Sequence, residues 1–308
     1  MIITQRFFKG LLVVAALAAA QALAQDSPAS QVYLPSAIWE WQENVITDPT
    51  AQAAFFTFAA THGINRVYIE CESAIQNNQP ALIGFLEAAA GNGLSTELLF
   101  GDARWVLPGS GYPYQGYAVS LVSTYTAQLL SQMTAGKPGA VHFDVEPYSL
   151  RLWRTEQNTI ALDYISLVTQ LEAAARQLGM KLSVDVPYWY STIPVTQGAA
   201  TTPMNQLVLN IVDRYVIMDY WDTASRIERQ ATTDLTYANS VAGKQVVIGV
   251  LTTCNQFPAD TSFCNTGTHQ GTAWMETVLS MIHKAENPNP SFAGFAIEDY
   301  AGFSILGP

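Results

Sequence analysis

The sequence predicts an α/β fold, a single-domain (β/α)8 TIM barrel, and three observations carry that expectation. Eight short apolar runs alternate with amphipathic helical stretches at spacings of roughly thirty to forty residues, the rhythm of parallel strands joined by crossover helices. The runs are apolar throughout, as strands covered on both faces are. No glycine-rich phosphate loop follows the first run, as an open doubly wound sheet would require. Eight strands close a barrel filled by side chains.

The first 24 residues stand outside this rhythm. Arg6 and Lys9 precede an apolar core at 11–20, and Ala22-Leu23-Ala24 places small residues where a signal peptidase reads. A signal peptide cleaved before Gln25 is expected, which predicts a secreted or periplasmic protein. Residues 25–35 then form an N-terminal segment and 36–308 the barrel. No later run is long and apolar enough to cross a membrane.

The strand runs are 37–41, 66–71, 95–100, 140–145, 181–186, 215–220, 245–251 and 293–297. Asp48-Pro49 supplies an N-cap and a first-turn proline for the helix after the first run, and Gly63 closes it. Pro80 opens the next helix, and Gly91 or Gly93 ends it. Val119, Val122, Leu129, Leu130 and Met133 form a helical stripe stopping at Gly136. Ile160, Tyr164, Leu167, Val168, Leu171 and Leu178 form another, stopped by Gly179. Residues 272–283 supply the helix before the last strand. Between 188 and 213, Thr, Pro and Gly interrupt the pattern, which reads as a long loop with one helix at 203–212.

The chain carries 25 acids against 14 bases. Losing Arg6 and Lys9 with the leader leaves a formal charge of −13, with no basic cluster to offset it. Nucleic acid and anionic lipid are poor partners for such a surface, and neutral partners suit it better. Cys254 and Cys264 flank a short polar loop and are expected to close it as a disulfide in an oxidising compartment. Cys71 reads as a buried thiol. No CxxC or His-rich spacing predicts a structural metal, and no cofactor motif is present.

Active sites of such barrels sit at the C-terminal ends of the strands, and the residues there are unusually uniform. The first four strands end in Trp39-Glu40-Trp41, Glu70-Cys71-Glu72, Asp102-Ala103-Arg104-Trp105 and His142 to Tyr148. The fifth carries Asp185 and runs into Tyr188-Trp189-Tyr190. The sixth ends in Met218-Asp219-Tyr220-Trp221-Asp222 and the eighth in Glu298-Asp299-Tyr300. Only the seventh, ending in Leu251-Thr252-Thr253, lacks a carboxylate. Solvent exposure accounts for Asp102 and Asp222, because strand ends emerge into water. It does not account for the fourth strand. Residues two apart share a face, so His142, Asp144 and Glu146 enter the barrel mouth while Val141, Phe143 and Val145 pack under the helices. Carboxyls placed there have raised pKa values, a cost usually kept at a functional site. His142, deeper in the strand, reads equally well as a satisfied core histidine. Paired carboxyls of different pKa suit glycosidic cleavage. Trp39, Trp41, Trp105, Tyr148, Tyr188, Trp189 and Trp221 are candidates to stack on sugar faces, with about half expected in the core.

Asp144-Val145-Glu146 resembles the close of the Asp-x-x-Asp-x-Asp-x-Glu signature of family 18 glycoside hydrolases, and Met218-Asp219-Tyr220 is similar to their Met-x-Tyr motif. The resemblance implies Glu146 as acid/base, Asp144 as the carboxylate orienting the substrate's N-acetyl group, and Tyr220 as its helper. It departs at Gly139 and His142, where that family has aspartates, at Trp221, and at Glu298, where it has tryptophan. It therefore implies a distant bacterial relative with its sugar left open. Without an acetamide, Glu146 remains the acid, with Asp219, Asp222 or Glu298 as base or nucleophile.

Three functions follow from these residues. The first is a secreted glycoside hydrolase of a neutral or amino-sugar polysaccharide, with Glu146, Asp144 and Tyr220 catalytic. Trp39, Trp105, Tyr148, Trp189, Asp219, Trp221, Asp222 and Glu298 would bind substrate. The second is a non-catalytic carbohydrate-binding protein on a degenerate barrel. The third, a metal-dependent hydrolase using His142, Asp144 and Glu146, ranks last because His62 and His283 sit near helix ends and His269 in a loop.

Overall fold

The computed structural model describes residues 36–308 apart from 255–257, 259 and 265–269. The expected leader 1–24, the segment 25–35 and His269 lie outside the described residues. All eight apolar runs become strands of one closed barrel. They are β1 (Ser36–Glu40), β2 (Arg66–Glu70), β3 (Ser95–Phe100), β4 (Ala140–Phe143), β5 (Lys181–Pro187), β8 (Arg214–Met218), β9 (Gln245–Leu251) and β10 (Phe292–Glu298). Each is parallel to its neighbours, and β10 pairs back onto β1 through Ser36–Phe295, Ala37–Ala296 and Ile38–Ile297.

Period-two alternation sorts the strand side chains into two environments. Ile38, Val67, Leu98, Val141, Phe143, Val184, Ile217, Ile248 and Phe295 face outward and join the large core under the helices. Ala37, Trp39, Tyr68, Leu99, Val216, Val247 and Ala296 face inward and form a second, small apolar cluster. The rest of the interior is polar and buried: Glu97, His142, Ser183, Asp185 and Arg214 are each at most 5% exposed. Val141, Phe143 and Val145 pack outward as the alternation predicts.

Helix ends follow the expected chemistry. The Asp48 side chain accepts a hydrogen bond from the Thr50 amide at the start of the helix Pro49–Thr61. Gly63, at φ 65°, takes the left-handed conformation that ends it. The long stripe becomes the helix Gln157–Gln177, which buries Ile160, Tyr164, Leu167, Val168 and Leu171.

The stretch after β5 departs from expectation. It holds an antiparallel hairpin, β6 (Pro194–Gln197) and β7 (Ala200–Pro203), before the helix Met204–Ile211. Of these two strands only Val195 is buried, so the hairpin leaves no hydrophobic period to read. Strands β4 and β8 also stop sooner than expected, at Phe143 and Met218. Asp144, Glu146, Asp219 and Tyr220 therefore stand on the loops above the sheet. The Asp144 amide still donates to Phe100 O at 2.9 Å, which ties that loop to β3.

Gly249 of β9 makes room for Trp39. A Cβ there would stand 2.7 Å from Ile217 O and 2.9 Å from the Trp39 ring, so a side chain must displace backbone or indole. Gly249→Ala is expected to destabilise the protein by about 1–3 kcal/mol. Gly84→Ala, in an exposed helical position with open space around it, is expected to stabilise it by about 0.5–1 kcal/mol. Denaturant unfolding of the two variants measures both signs.

Candidate active site

A cavity of about 360 Å³ opens at the C-terminal mouth of the barrel, within the range of roughly 300–1,000 Å³ usual for ligand sites. Its lining is Trp39 and Trp41 from the end of β1, Asp144 and Glu146 beyond β4, Asp185 of β5, and Met218 and Tyr220 at the end of β8. Leu251 and Thr253 contribute from β9, and Glu298 and Asp299 from β10. Five carboxyl groups thus converge with two indoles. A larger hollow of about 500 Å³ lies against the outer face of the helix Pro49–Thr61. His62 is the one imidazole in its lining, which has no carboxyl.

The carboxyls differ in their surroundings. Burial, then the charges of Asp185 and Glu146, push the Asp144 carboxyl well above its usual range, against a smaller pull from His142. Burial also raises Glu146, and Asp185 adds to it, while the Tyr148 hydroxyl opposes both by donating to Glu146 Oε1 at 2.5 Å. Burial and then Asp299 raise Glu298, although Trp41 Nε1 donates to its Oε1 at 2.9 Å. Burial drives the Tyr220 phenol upward, so it stays a neutral donor. Asp299 caps the short helix Tyr300–Ser304 by accepting from Gly302 N at 2.7 Å.

Below the cavity runs a column of buried charge. Arg66 Nε lies 3.3 Å from Glu97 Oε1, and Arg214 Nη1 contacts the same oxygen. Glu97 Oε2 meets His142 Nδ1 at 3.0 Å, and His142 Nε2 lies 2.9 Å from Asp185 Oδ1. Trp39 Nε1 donates to Asp185 Oδ2 at 2.9 Å. Burial alone would raise Glu97, but Arg214, His142 and Arg66 outweigh it and hold the carboxyl at about 2. Burial alone would lower His142, but Asp185 and Glu97 outweigh it and lift the imidazole to about 9. The ring also lies against Tyr68, centroids 4.2 Å apart.

The structure brings Asp144, Glu146, Tyr220, Trp39 and Glu298 to one cavity. Tyr148 stands behind Glu146 as its hydrogen-bond donor, with Trp189 edge-on to it at 5.1 Å. Trp189 and Trp221 are half-buried and outside the cavity lining. Trp221 lies between Tyr188 and the Arg226 guanidinium, which stacks 3.7 Å from its ring centroid. Three expected binding residues, Trp105, Asp219 and Asp222, are buried away from the cavity. Trp105 is fully buried against Phe143 and Tyr117 in the outer core, because its short 3₁₀ turn, Ala103–Val106, packs the indole beneath the helices. Asp219 is fully buried, outside the cavity lining, and has its carboxyl raised by burial and by Asp234 of the helix Ala224–Asn239. The alternation that sends Met218 and Tyr220 inward turns Asp219 outward. Asp222 is also buried away from the cavity. Its amide donates to Asp260 O, and its carbonyl accepts from Trp274 Nε1 at 2.8 Å.

The sequence reading named Trp41 as a stacking candidate and placed Asp185, Asp299, Met218, Leu251 and Thr253 at strand ends, but assigned none of the six to the site. Asp185 carried a usable signal, since it shares the inward face with Ser183 and Pro187. The expected disulfide joins Cys254 to Cys264, Cα atoms 4.9 Å apart. It closes the loop beside Thr253, where Ser262 Oγ donates to Thr253 O at 2.8 Å. Cys71 is free and buried, as read. Among the described residues, no three His, Cys, Asp or Glu side chains gather as a metal-ligand set.

No protein-family model matches the chain, and no curated protein matches its sequence. Its fold is similar to solved structures. A monomeric beta-xylosidase from Caulobacter crescentus CB15 aligns at TM-score 0.58 and 12% identity, over 90% of this chain and 62% of that one. A GH113 beta-1,4-mannanase aligns at TM-score 0.56 and 11% identity, over 86% and 87%. The spore cortex-lytic enzyme SleL of Bacillus megaterium QM B1551 aligns at TM-score 0.50 and 13% identity, over 86% and 70%. The chain thus spans less than two thirds of the xylosidase. At these identities the likeness establishes the (β/α)8 fold alone.

Several buried groups shift in one direction. Burial lifts Glu40 to about 8, against a hydrogen bond from the Gln42 amide, and lifts Asp234 to about 7, against one from Asn205. His142 lies at about 9. A pKa raised by folding stabilises fully below the unfolded value, and that contribution is lost as pH rises through the folded value. Stability is therefore expected to fall between pH 6 and 9. The slope is at least one proton's worth, about 1.4 kcal/mol per pH unit, and denaturant unfolding across that window measures it.

Proposed function

We propose that this chain is an exported glycoside hydrolase acting on a neutral or amino-sugar polysaccharide, with Glu146 as its general acid/base. The observation that carries this reading is the cavity in which Asp144, Glu146, Asp185, Glu298 and Tyr220 surround one space beside Trp39 and Trp41. Glu146 is accessible enough to reach substrate, and burial raises its pKa, so its acid form persists to higher pH than that of an exposed glutamate. Donated to the glycosidic oxygen, that proton lets the leaving sugar depart as an alcohol, and the resulting carboxylate can then take a proton from water. Asp144 and Tyr220 share the space, which supports reading them as the pair that orients a 2-acetamido group. Where the sugar has none, Glu298 is the remaining carboxyl able to act as base or nucleophile, since Asp219 and Asp222 are outside the cavity lining. The indoles offer apolar faces to a sugar ring. Export is supported by the leader-like residues 1–24 and by the Cys254–Cys264 disulfide.

Glu146→Gln is expected to reduce hydrolysis of a polysaccharide panel by about 10²–10⁴-fold, with the circular dichroism unchanged. Undiminished turnover removes Glu146 from the chemistry. Oligosaccharide binding by calorimetry with no product by mass spectrometry replaces the enzyme with a binding protein. Tyr148→Phe removes a donor that favours the Glu146 carboxylate, so the Glu146 pKa rises. The alkaline limb of kcat/KM, where the acid form is lost, is expected to move to higher pH. An unmoved limb separates Tyr148 from Glu146.

A further inference from the structure

The proposed chemistry uses groups on the cavity wall, and the charged column beneath them fixes how one of those groups holds its proton. Glu97, His142 and Asp185 are 2%, 0% and 2% exposed, so water does not screen them. Both imidazole nitrogens meet carboxylate oxygens, Nδ1 with Glu97 at 3.0 Å and Nε2 with Asp185 at 2.9 Å. A neutral imidazole has one N–H and one lone pair, so it would turn that lone pair onto a carboxylate at one of these contacts. Glu97 cannot relieve the conflict by protonation, because Arg66 and Arg214 both bear on its Oε1. Asp185 already takes the Trp39 indole N–H on its other oxygen, which leaves Oδ1 to face the ring. With two protons the ring hydrogen-bonds Glu97 through Nδ1 and sets positive charge against Asp185 at Nε2.

We propose that His142 is a buried imidazolium that keeps Asp185 ionised at the cavity floor. Asp185 is thereby a positioning residue that confines a proton to the neighbouring Asp144. Asp144 then remains a neutral hydrogen-bond donor facing substrate while Glu146 gives up and regains its own proton. No bond forms or breaks in this arrangement, and the proton on Asp144 stays where it is through the cycle.

The groups bearing on each site are accounted for. His142 faces Glu97 from β3, Asp185 from β5 and Tyr68 from β2, with Arg66 and Arg214 one step beyond. Asp144 is influenced by Asp185 from β5, Glu146 and Tyr148 from its own loop, and His142 from β4. Glu298 at the end of β10, Tyr220 beyond β8 and Tyr164 of the helix Gln157–Gln177 complete the set. The acids among them disfavour ionisation of Asp144, as its burial does, and His142 is the one cation opposing them.

The protonation states stand by themselves, and only the kinetic part rests on Glu146 as the acid. Nitrogen-15 NMR of the wild-type chain at pH 7 is expected to show both His142 ring nitrogens protonated. A single protonated ring nitrogen overturns the proposal, and this reading needs no variant to fold. Carbon-13 titration of labelled aspartates in Asp185→Asn is expected to show the Asp144 midpoint lowered by at least one pH unit. An unmoved midpoint overturns it. In the same variant the alkaline limb of kcat/KM is expected to move to lower pH, because Asp144 loses its proton sooner. A uniform loss of rate with no displaced limb reduces Asp185 to a structural part. If the wild-type chain hydrolyses nothing, or Glu146→Gln hydrolyses as well as wild type, the proposed function fails. The two NMR readings still decide this inference.

Discussion

The contact between His142 and Asp185, 2.9 Å long and sealed from water, is the interaction on which the inside of this barrel depends. A barrel interior is ordinarily filled by branched apolar side chains, and here much of that volume holds ions. Such burial is tolerable only when every charge is matched, since an isolated ion costs several kcal/mol after relaxation. Two arginines, Glu97, His142 and Asp185 alternate in sign from the bottom of the barrel to the cavity floor, and Arg66, the extra cation, is partly open to water. The last member of the series is also the first wall residue of the cavity. Whatever sets the charge of the column therefore reaches the substrate side.

Two further features follow from the same column. Trp39 is held from both sides, by its hydrogen bond to Asp185 and by the space that Gly249 leaves for its ring. One face of the site is thus fixed by the packing of β1 against β9, far from any loop. Asp144 is placed by a different device. Its amide bonds to Phe100 O, and a Cβ at position 101 would stand 2.6 Å from its backbone oxygen, so glycine stands there. Rigid strands and close backbone approach, more than loop chemistry, put the carboxyls where they are.

The carboxyl groups gathered at the mouth are kept distinct by their neighbours. Asp185 faces a cation, Asp144 faces an anion, Glu146 has a phenol and Glu298 an indole. Groups of one chemical type thereby acquire different proton affinities within one space, which is how acid and base roles are divided in a site of like residues.

The sequence alone determined the architecture, because each barrel strand is a covered apolar run and each helix end has its own local chemistry in Asp48, Pro49, Gly63 and Gly179. It also pointed to Asp144 and Glu146 at the mouth through the two-residue period of a strand, although β4 ends at Phe143 and the loop beyond it carries both. The hairpin Pro194–Gln197 with Ala200–Pro203 was hidden, because strands so short and exposed write no period. Trp105 and Asp219 show the limit of reading strand ends as a rim. A side chain just beyond a strand can turn under the helices or over the mouth, and only packing against distant residues such as Phe143 or Asp234 chooses. The role of Asp185 was decided by the fold alone. Its partners His142 and Trp39 lie 43 and 146 residues away, and no local pattern carries a contact that barrel closure creates.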